Sequence, residues 1–298
     1  MKVAKLLHNP KAGDQDHSKN ELIKLIESNG YKCIYASVKE DGWKEIEEEV
    51  DFLVVAGGDG TVRKAAKQLL KRGVMEKKYP IALLPTGTAN NIGTSFNLTT
   101  KPEAVESWKH CKIQKFDVGK ITGLEDESFF LEGFGFGVLP NLMKAMKKVD
   151  EAEIDTPEKS LATALDELLK TVKEYEARPC TLTLDGVDHS GKFLLVEVMN
   201  IRLVGPNLNL NPLADSGDGE FEVVIIPEDQ RNKFANYVSD KIAGKEEPFC
   251  FSALKAKDIK ITWEGVHAHV DDEVIRADKS IKVEVTIQPG VLDFIVPE

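Results

Sequence analysis

Three short segments hold the residues best suited to chemistry: Asn9-Pro10-Lys11-Ala12-Gly13, Gly57-Gly58-Asp59-Gly60-Thr61 and Pro85-Thr86-Gly87-Thr88-Ala89-Asn90-Asn91. Each follows an apolar run. Glycine lets the main chain approach a ligand closely, and helix N-termini aim N–H groups at anions, so a phosphate-bearing ligand is the natural occupant. The segment from Gly57 to Thr61 is the most specific, because the carboxylate of Asp59 at its tip can organise magnesium and its waters. It lacks the Gly-Lys-Ser/Thr ending of a Walker loop and the G-x-G-x-x-G of dinucleotide folds. One glycine would be explained by an ordinary turn between strand and helix; three around an aspartate, with two companion turns, call for a ligand.

A second group is His267, His269, Asp271 and Glu273. If one strand runs through all four, period-two alternation puts them on a single face. Imidazole and carboxylate at that spacing suit a transition metal and a metal-dependent hydrolase. No other His/Cys cluster completes such a ligand set, and strand histidines are more often packed or surface residues.

The elements that must hold these residues follow from periodicity. Val3–Leu7, Tyr31–Ala36, Phe52–Ala56 and Ile81–Leu84 read as strands, and Leu22, Leu25 and Ile26 mark a helix stopped at Asn29-Gly30. Val62, Ala65, Ala66, Leu69 and Leu70 recur at helical spacing directly after the glycine turn. Alternating strands and helices imply a doubly wound, mainly parallel α/β sheet through about residue 118, with all three turns at its carboxyl edge. Beyond Gly119 the texture becomes β-rich and sandwich-like. Strands are expected at 129–136, 181–184, 193–198, 221–226, 259–263 and 281–287, with helices near 138–149, 160–176 and 230–242. Val291–Val296 is placed to return and pair with the first domain.

Length and charge narrow the function classes. The chain has 298 residues, enough for two domains, and a formal net charge of −11, which argues against nucleic acid. No secretion signal and no run of about 18 apolar residues is evident. Cys33, Cys111, Cys180 and Cys250 are scattered, as expected of thiols in a reducing cytoplasm. Any membrane contact would be transient, peripheral and local, for example through Lys144, Lys147 and Lys148, although such runs are usually solvated helix faces. A homodimer is compatible with the sequence.

The set Asn9-Pro10-x-Ala12-Gly13, Gly57-Gly58-Asp59-Gly60-Thr61 and Pro85-x-Gly87-Thr88-x-Asn90 resembles the diacylglycerol kinase catalytic-domain family, which includes bacterial lipid kinases and sphingosine kinases. Phe116-Asp117-Val118-Gly119, Glu132-Gly133-Phe134-Gly135-Phe136-Gly137 and Asp218-Gly219 fall in the family's order. The resemblance implies an α/β nucleotide-binding domain at 1–118 and a β-rich lipid or substrate domain at 119–298. The activity implied is transfer of the γ-phosphoryl group of ATP to a hydroxyl of a lipid, such as diacylglycerol or a sphingoid base, delivered between the domains. Asn9, Pro10, Gly13, Ser37, Gly57, Gly58, Asp59, Gly60, Thr61, Gly87, Thr88 and Asn90 are then the nucleotide contacts. Asp59 and Asp117 join a magnesium–water network, and Asp215, Asp218 and Glu220 resemble a structural metal site. Asp271 is the implied catalytic base, with Glu273 as its partner or rival.

The chain departs from the family pattern at four places. Asn91 stands where an aspartate usually follows Gly-Thr-x-Asn, Asp14 and Thr94 where bacterial diacylglycerol kinases often carry basic residues, and Asp272 where glycine separates the two carboxylates. These changes leave open another lipid or small alcohol, slower chemistry, or a silent nucleotide- or lipid-binding protein. NAD kinases share the Gly-Gly-Asp-Gly-Thr turn, but their later Gly-Ser-Thr-Ala segment is missing here.

Overall fold

The computed structural model describes all residues except 14–16, 74, 99–100, 126, 151–153, 246–248, 250 and 252, so Asp14 and Cys250 lie outside the described residues. The chain forms two units, Met1–Phe116 with Gly290–Glu298, and Asp117–Pro289. No helix among the described residues is long and apolar enough to cross a membrane.

In the first unit, Val3–His8 (β1), Lys32–Ser37 (β2), Phe52–Gly57 (β3) and Ile81–Pro85 (β4) run parallel in the order β2-β1-β3-β4. Phe294 of the last strand joins beside Ile81, also in parallel. Every residue of β1 and β3 is buried, which is why β3 is an unbroken apolar run rather than an alternation; the two polar residues of β1, Lys5 and His8, are buried with partners, Lys5 meeting the Glu47 carboxylate. The helices are Lys19–Ser28 (α1), Asp59–Leu69 (α2), Asn91–Ser95 (α3) and Lys101–Ser107 (α4). A capping box between Ser18 and Glu21 starts α1, and Gly30, at φ 89°, follows its end. Leu22 and Ile26 of α1 pack on Ala4, Leu6, Phe52 and Val54; truncating either to alanine would cost about 2–5 kcal/mol. From β1 the chain passes to β2 on one side and then to β3 on the other. The crevice at that reversal, outside the carboxyl ends of the strands, is where open α/β sheets bind ligands.

The second unit is antiparallel, with Gly191–Met199 as its hub. That strand pairs with Phe221–Pro227, with Gly133–Gly137 and with Arg178–Leu184. One face meets an aromatic core containing Phe130, Phe134, Phe136, Phe221 and Trp263. The other, bearing Leu195 and Met199, is covered by the helices Val138–Met146, Pro157–Glu174 and Arg231–Ile242. The strand expected at 129–136 is broken at Leu131 and Glu132, because their N–H groups leave the ladder for the Asp271 carboxylate. The expected single strand through His267, His269, Asp271 and Glu273 is also corrected. His267–Val270 and Glu273–Arg276 form a hairpin with Val270 opposite Glu273, and Asp271 and Asp272 make its two-residue loop.

At the end of β1, His8 is buried in a chain of hydrogen bonds. His17 Nε2 faces the Ala12 carbonyl at 3.0 Å, so it donates there, and His17 Nδ1 accepts from His8 Nε2 at 2.9 Å. His8 Nδ1 must then accept from the Tyr35 hydroxyl at 3.1 Å, which leaves His8 neutral. Burial, and then the neighbouring His17, hold the His8 pKa down to about 4. Between about pH 6.5 and 4 the unfolded chain binds the extra proton, so stability is complete above that window and falls as pH drops through it. Between pH 6 and 5 the loss should be about 1 kcal/mol per pH unit. Urea melts of the native protein and of His8→Gln should show this slope in the former and its reduction in the latter.

Candidate functional site

The carboxyl ends of β1, β3 and β4 bring the three glycine turns together. Gly58 and Gly87 face each other so closely that a Cβ on Gly87 would lie 2.4 Å from Gly58 Cα. Gly13 has φ 56°, and a Cβ there would lie 2.3 Å from the Thr86 carbonyl oxygen. A Cβ on Gly57 would strike Thr61 at 2.4 Å. Side chains are excluded at each approach, so the lining is main chain.

Polar side chains fix that lining. Asn9 Nδ2 donates to Thr61 Oγ1 at 3.3 Å, and the Asn9 amide to the Ala56 carbonyl at 2.9 Å. Asn90, at φ 51°, accepts from the Gly87 amide at 2.9 Å and donates back to its carbonyl at 2.7 Å. Asp59 opens α2 and also accepts the amides of Asn91 at 2.7 Å and Ile92 at 3.1 Å, at the start of α3. One carboxylate therefore ties two helix starts together, where negative charge is favoured. Ser37 is buried at the end of β2, Gly60 sits in the first turn of α2, and Pro10 and Thr88 are exposed beside the turns. Magnesium characteristically keeps several waters and binds through one or two carboxylates plus substrate phosphates. A single aspartate at a main-chain turn fits that mode. Among the described residues, no three His, Cys, Asp or Glu side chains gather to hold a metal by themselves.

The second unit gathers the other expected residues. Asp271, at φ 51°, is buried, and its Oδ1 accepts the amides of Leu131, Glu132 and Gly133 at 3.0, 2.8 and 3.2 Å, while Oδ2 accepts Leu131 at 3.1 Å. Asp271, not Asp272, is the left-handed residue of the loop, so Asp272 occupies the family's glycine position without needing positive φ. Glu273 is exposed beside it. His269 Nδ1 donates to the Asp271 carbonyl at 3.0 Å, and Nε2 meets Glu197 Oε2 at 2.9 Å. Burial works against the His269 proton, but the Glu197 carboxylate overrides it and holds the pKa above the ordinary value. With both ring nitrogens engaged, His269 has no lone pair for a metal, which removes the hydrolase alternative's central ligand. Gly133 and Gly135 make room for Glu197: a Cβ on Gly135 would lie 1.8 Å from its Oε2. Asn200 Nδ2 bridges the carbonyls of Asp117 and Leu131, both at 2.8 Å. Sequence reasoning missed Glu197 and Asn200; the signal for the first was a lone carboxylate in the apolar run Phe193–Met199.

Comparisons with known proteins bear on this geometry. Residues 3–121 match the diacylglycerol kinase catalytic domain, and residues 144–296 match the YegS C-terminal NAD kinase beta sandwich-like domain. The chain belongs to the diacylglycerol kinase/YegS lipid kinase family. It is 26% identical to a Pseudomonas aeruginosa protein named "Probable lipid kinase YegS-like", over 99% of this chain and 94% of that one. It is 22% identical to a diacylglycerol kinase of Bacillus subtilis, over 82% and 80%. A crystal structure of a diacylglycerol kinase from Bacillus anthracis superimposes with a TM-score of 0.72 at 22% identity, covering 99% of this chain and 96% of that one. An NAD kinase from Archaeoglobus fulgidus, solved with ATP, shares the fold at a TM-score of 0.51 and 12% identity, covering 100% and 94%.

The turn that carries Asp215, Asp218 and Glu220 is organised around Asp117 and Lys255. Asp117 is buried and its Oδ2 accepts the Gly219 amide at 2.8 Å, anchoring the turn. Asp215 Oδ1 is turned to the Gly217 amide at 3.0 Å, and Asp218 Oδ1 to the Glu220 amide at 3.0 Å. The Lys255 ammonium reaches Asp218 at 2.5 Å, Glu220 at 3.3 Å and the buried Glu222 at 3.9 Å. Burial, then the charge of Asp218, pushes the Glu222 carboxyl up to about 7. The Lys255 ammonium thus places a positive charge among the carboxylates of Asp218, Glu220 and Glu222 at this turn.

Replacing Lys255 with methionine should cost about 1–2 kcal/mol, since it leaves a buried carboxylate without its counter-charge. Thermal melts should show this loss partly recovered by millimolar magnesium in Lys255→Met.

Proposed function

We propose that the protein transfers the γ-phosphoryl group of ATP to a hydroxyl of a lipid such as diacylglycerol or a sphingoid base. The observation that carries this reading is the glycine-lined meeting of the turns at residues 9–13, 57–61 and 85–91, where main chain replaces side chain at the reversal point of the sheet. Such a lining suits the phosphates of a nucleotide, with amides and the start of α2 facing the anion. ATP enters as its magnesium complex, and the metal bound to the phosphates would neutralise charge as the β–γ bond breaks.

The residues of this chain then have defined tasks. Asn9, Thr61, Asn90 and Asp59 hold the turns in register, and Gly13, Gly57, Gly58, Gly60 and Gly87 admit the phosphates. Pro10, Ser37 and Thr88 border the nucleotide. Asp271 takes the hydroxyl proton as the new P–O bond forms and ADP leaves. Glu273 lies exposed beside it, placed to pass the proton to solvent. Asp117 belongs to this account through the turn it anchors.

The likeness to an NAD kinase fold and the shared Gly-Gly-Asp-Gly-Thr turn make NAD the second acceptor class to examine. Transfer of ³²P from ATP to diacylglycerol, sphingoid bases, monoacylglycerol, undecaprenol and NAD identifies the acceptor. One lipid should be labelled. Asp59→Ala and Asp271→Asn should each lower kcat by about 10²-fold or more. Asparagine keeps the Oδ1 acceptor and replaces only Oδ2, and melts of both variants separate lost chemistry from lost fold. Labelling of NAD, or full activity in Asp271→Asn, would overturn the proposal.

A further inference from the structure

The second unit contains a cavity of about 450 Å³ that none of the chemistry above uses. Its wall carries Lys144, Arg178, His267, Lys279 and Ser280, with Trp263 and Tyr175 as the aromatic part. We propose that this cavity is a binding site for a phosphate-bearing anion, gripped by Lys144, Arg178 and Lys279.

The charge balance is the first support. The chain has 50 acidic against 39 basic residues, so an arbitrary patch should be acidic. Here three permanent cations face one carboxylate, Glu264. Lys144 and Lys279 take part in no ion pair among the described residues, and Arg178 reaches Glu176 only at 3.8 Å.

The kind of donor is the second support. Residues bearing ammonium, guanidinium and hydroxyl groups line the cavity from the helix Val138–Met146, from the start of the strand Arg178–Leu184, and from the loop before Ile281. Ammonium and guanidinium can only donate, and a phosphate group is acceptor-rich and matches the guanidinium fork. The volume falls within the range of small-ligand sites, and the half-buried Tyr175 ring leaves an apolar wall for a glycerol or short apolar body beside the phosphate.

His267 reports the field inside. Burial first, then Lys144 and Arg276, hold its pKa below the ordinary histidine value. Arg276 is its partner across the hairpin. Lys144 and Arg276 are the charges that act on this imidazole, and Arg178, Lys279 and Glu264 are the other charged residues of the cavity lining. A bound dianion would reverse that field and return a proton to His267. The site stands apart from phosphoryl transfer, so its test does not require an active kinase.

The test follows the His267 imidazole resonance of the full chain by NMR while inorganic phosphate or glycerol 3-phosphate is added. In parallel, the protein is sedimented with phosphatidylcholine vesicles with and without phosphatidic acid. A saturable shift of His267 toward its protonated position with a soluble phosphate supports a free-phosphate ligand. Retention only by phosphatidic acid vesicles, with the same shift, supports a lipid headgroup. In both cases Lys144→Gln/Lys279→Gln should weaken binding by roughly tenfold or more, since each lost contact is charge-assisted. Melting temperatures of that variant establish that it is folded. No shift with any phosphate and no preference for phosphatidic acid would overturn the proposal. So would unweakened binding by the folded double variant.

Discussion

Everything at the first unit's ligand edge depends on main chain meeting main chain where Gly58 faces Gly87. A single methyl group there would overlap the opposing Cα, and the same exclusion recurs where Gly13 passes the Thr86 carbonyl. The strands set this up: β1, β3 and β4 are adjacent, parallel and buried, so their carboxyl ends finish side by side. Asp59 then couples the turn after β3 to the turn after β4 by capping α3 from the start of α2. Side chains are sparse at this edge because the turns pack on one another through their main chain.

The second unit uses the same device for a different end. Gly133 and Gly135 give up their side chains so that Glu197 can lie under them and meet His269. Burial holds the Glu197 carboxyl above its ordinary value as well, and a buried pair of this kind gives little net stability, so its role is better sought in what it orients. What it orients is the hairpin loop: His269 holds the Asp271 carbonyl while the amides of Leu131 to Gly133 hold its carboxylate. Asn200 ties the same loop region to Asp117, and Asp117 to the turn at Gly219. Asp271 and Asp117, widely separated in sequence, thus belong to one hydrogen-bonded knot.

Much of this was legible in the sequence, and the reasons are local. The unbroken apolar runs at Phe52–Ala56 and Ile81–Leu84, each ending in glycine-rich turns, signalled buried parallel strands with a ligand edge. Val291–Val296, expected to return to the first domain, does so at Phe294. Period-two alternation failed at Asp271, because reversal there relies on one left-handed aspartate held by amides 140 residues away in sequence, for which no glycine signal exists. The partnership of Lys255 with Asp218 was also hidden, since cross-strand neighbours are set by register rather than by spacing along the chain.

The central claim is that the three glycine turns together cradle the phosphates of ATP. Hydrogen exchange of the backbone amides, read with and without saturating magnesium-ATP, tests it without any acceptor. Exchange should slow at residues 11–13, 57–61 and 86–91. Binding of ATP that leaves those amides unchanged, or protects another region in their place, would contradict it.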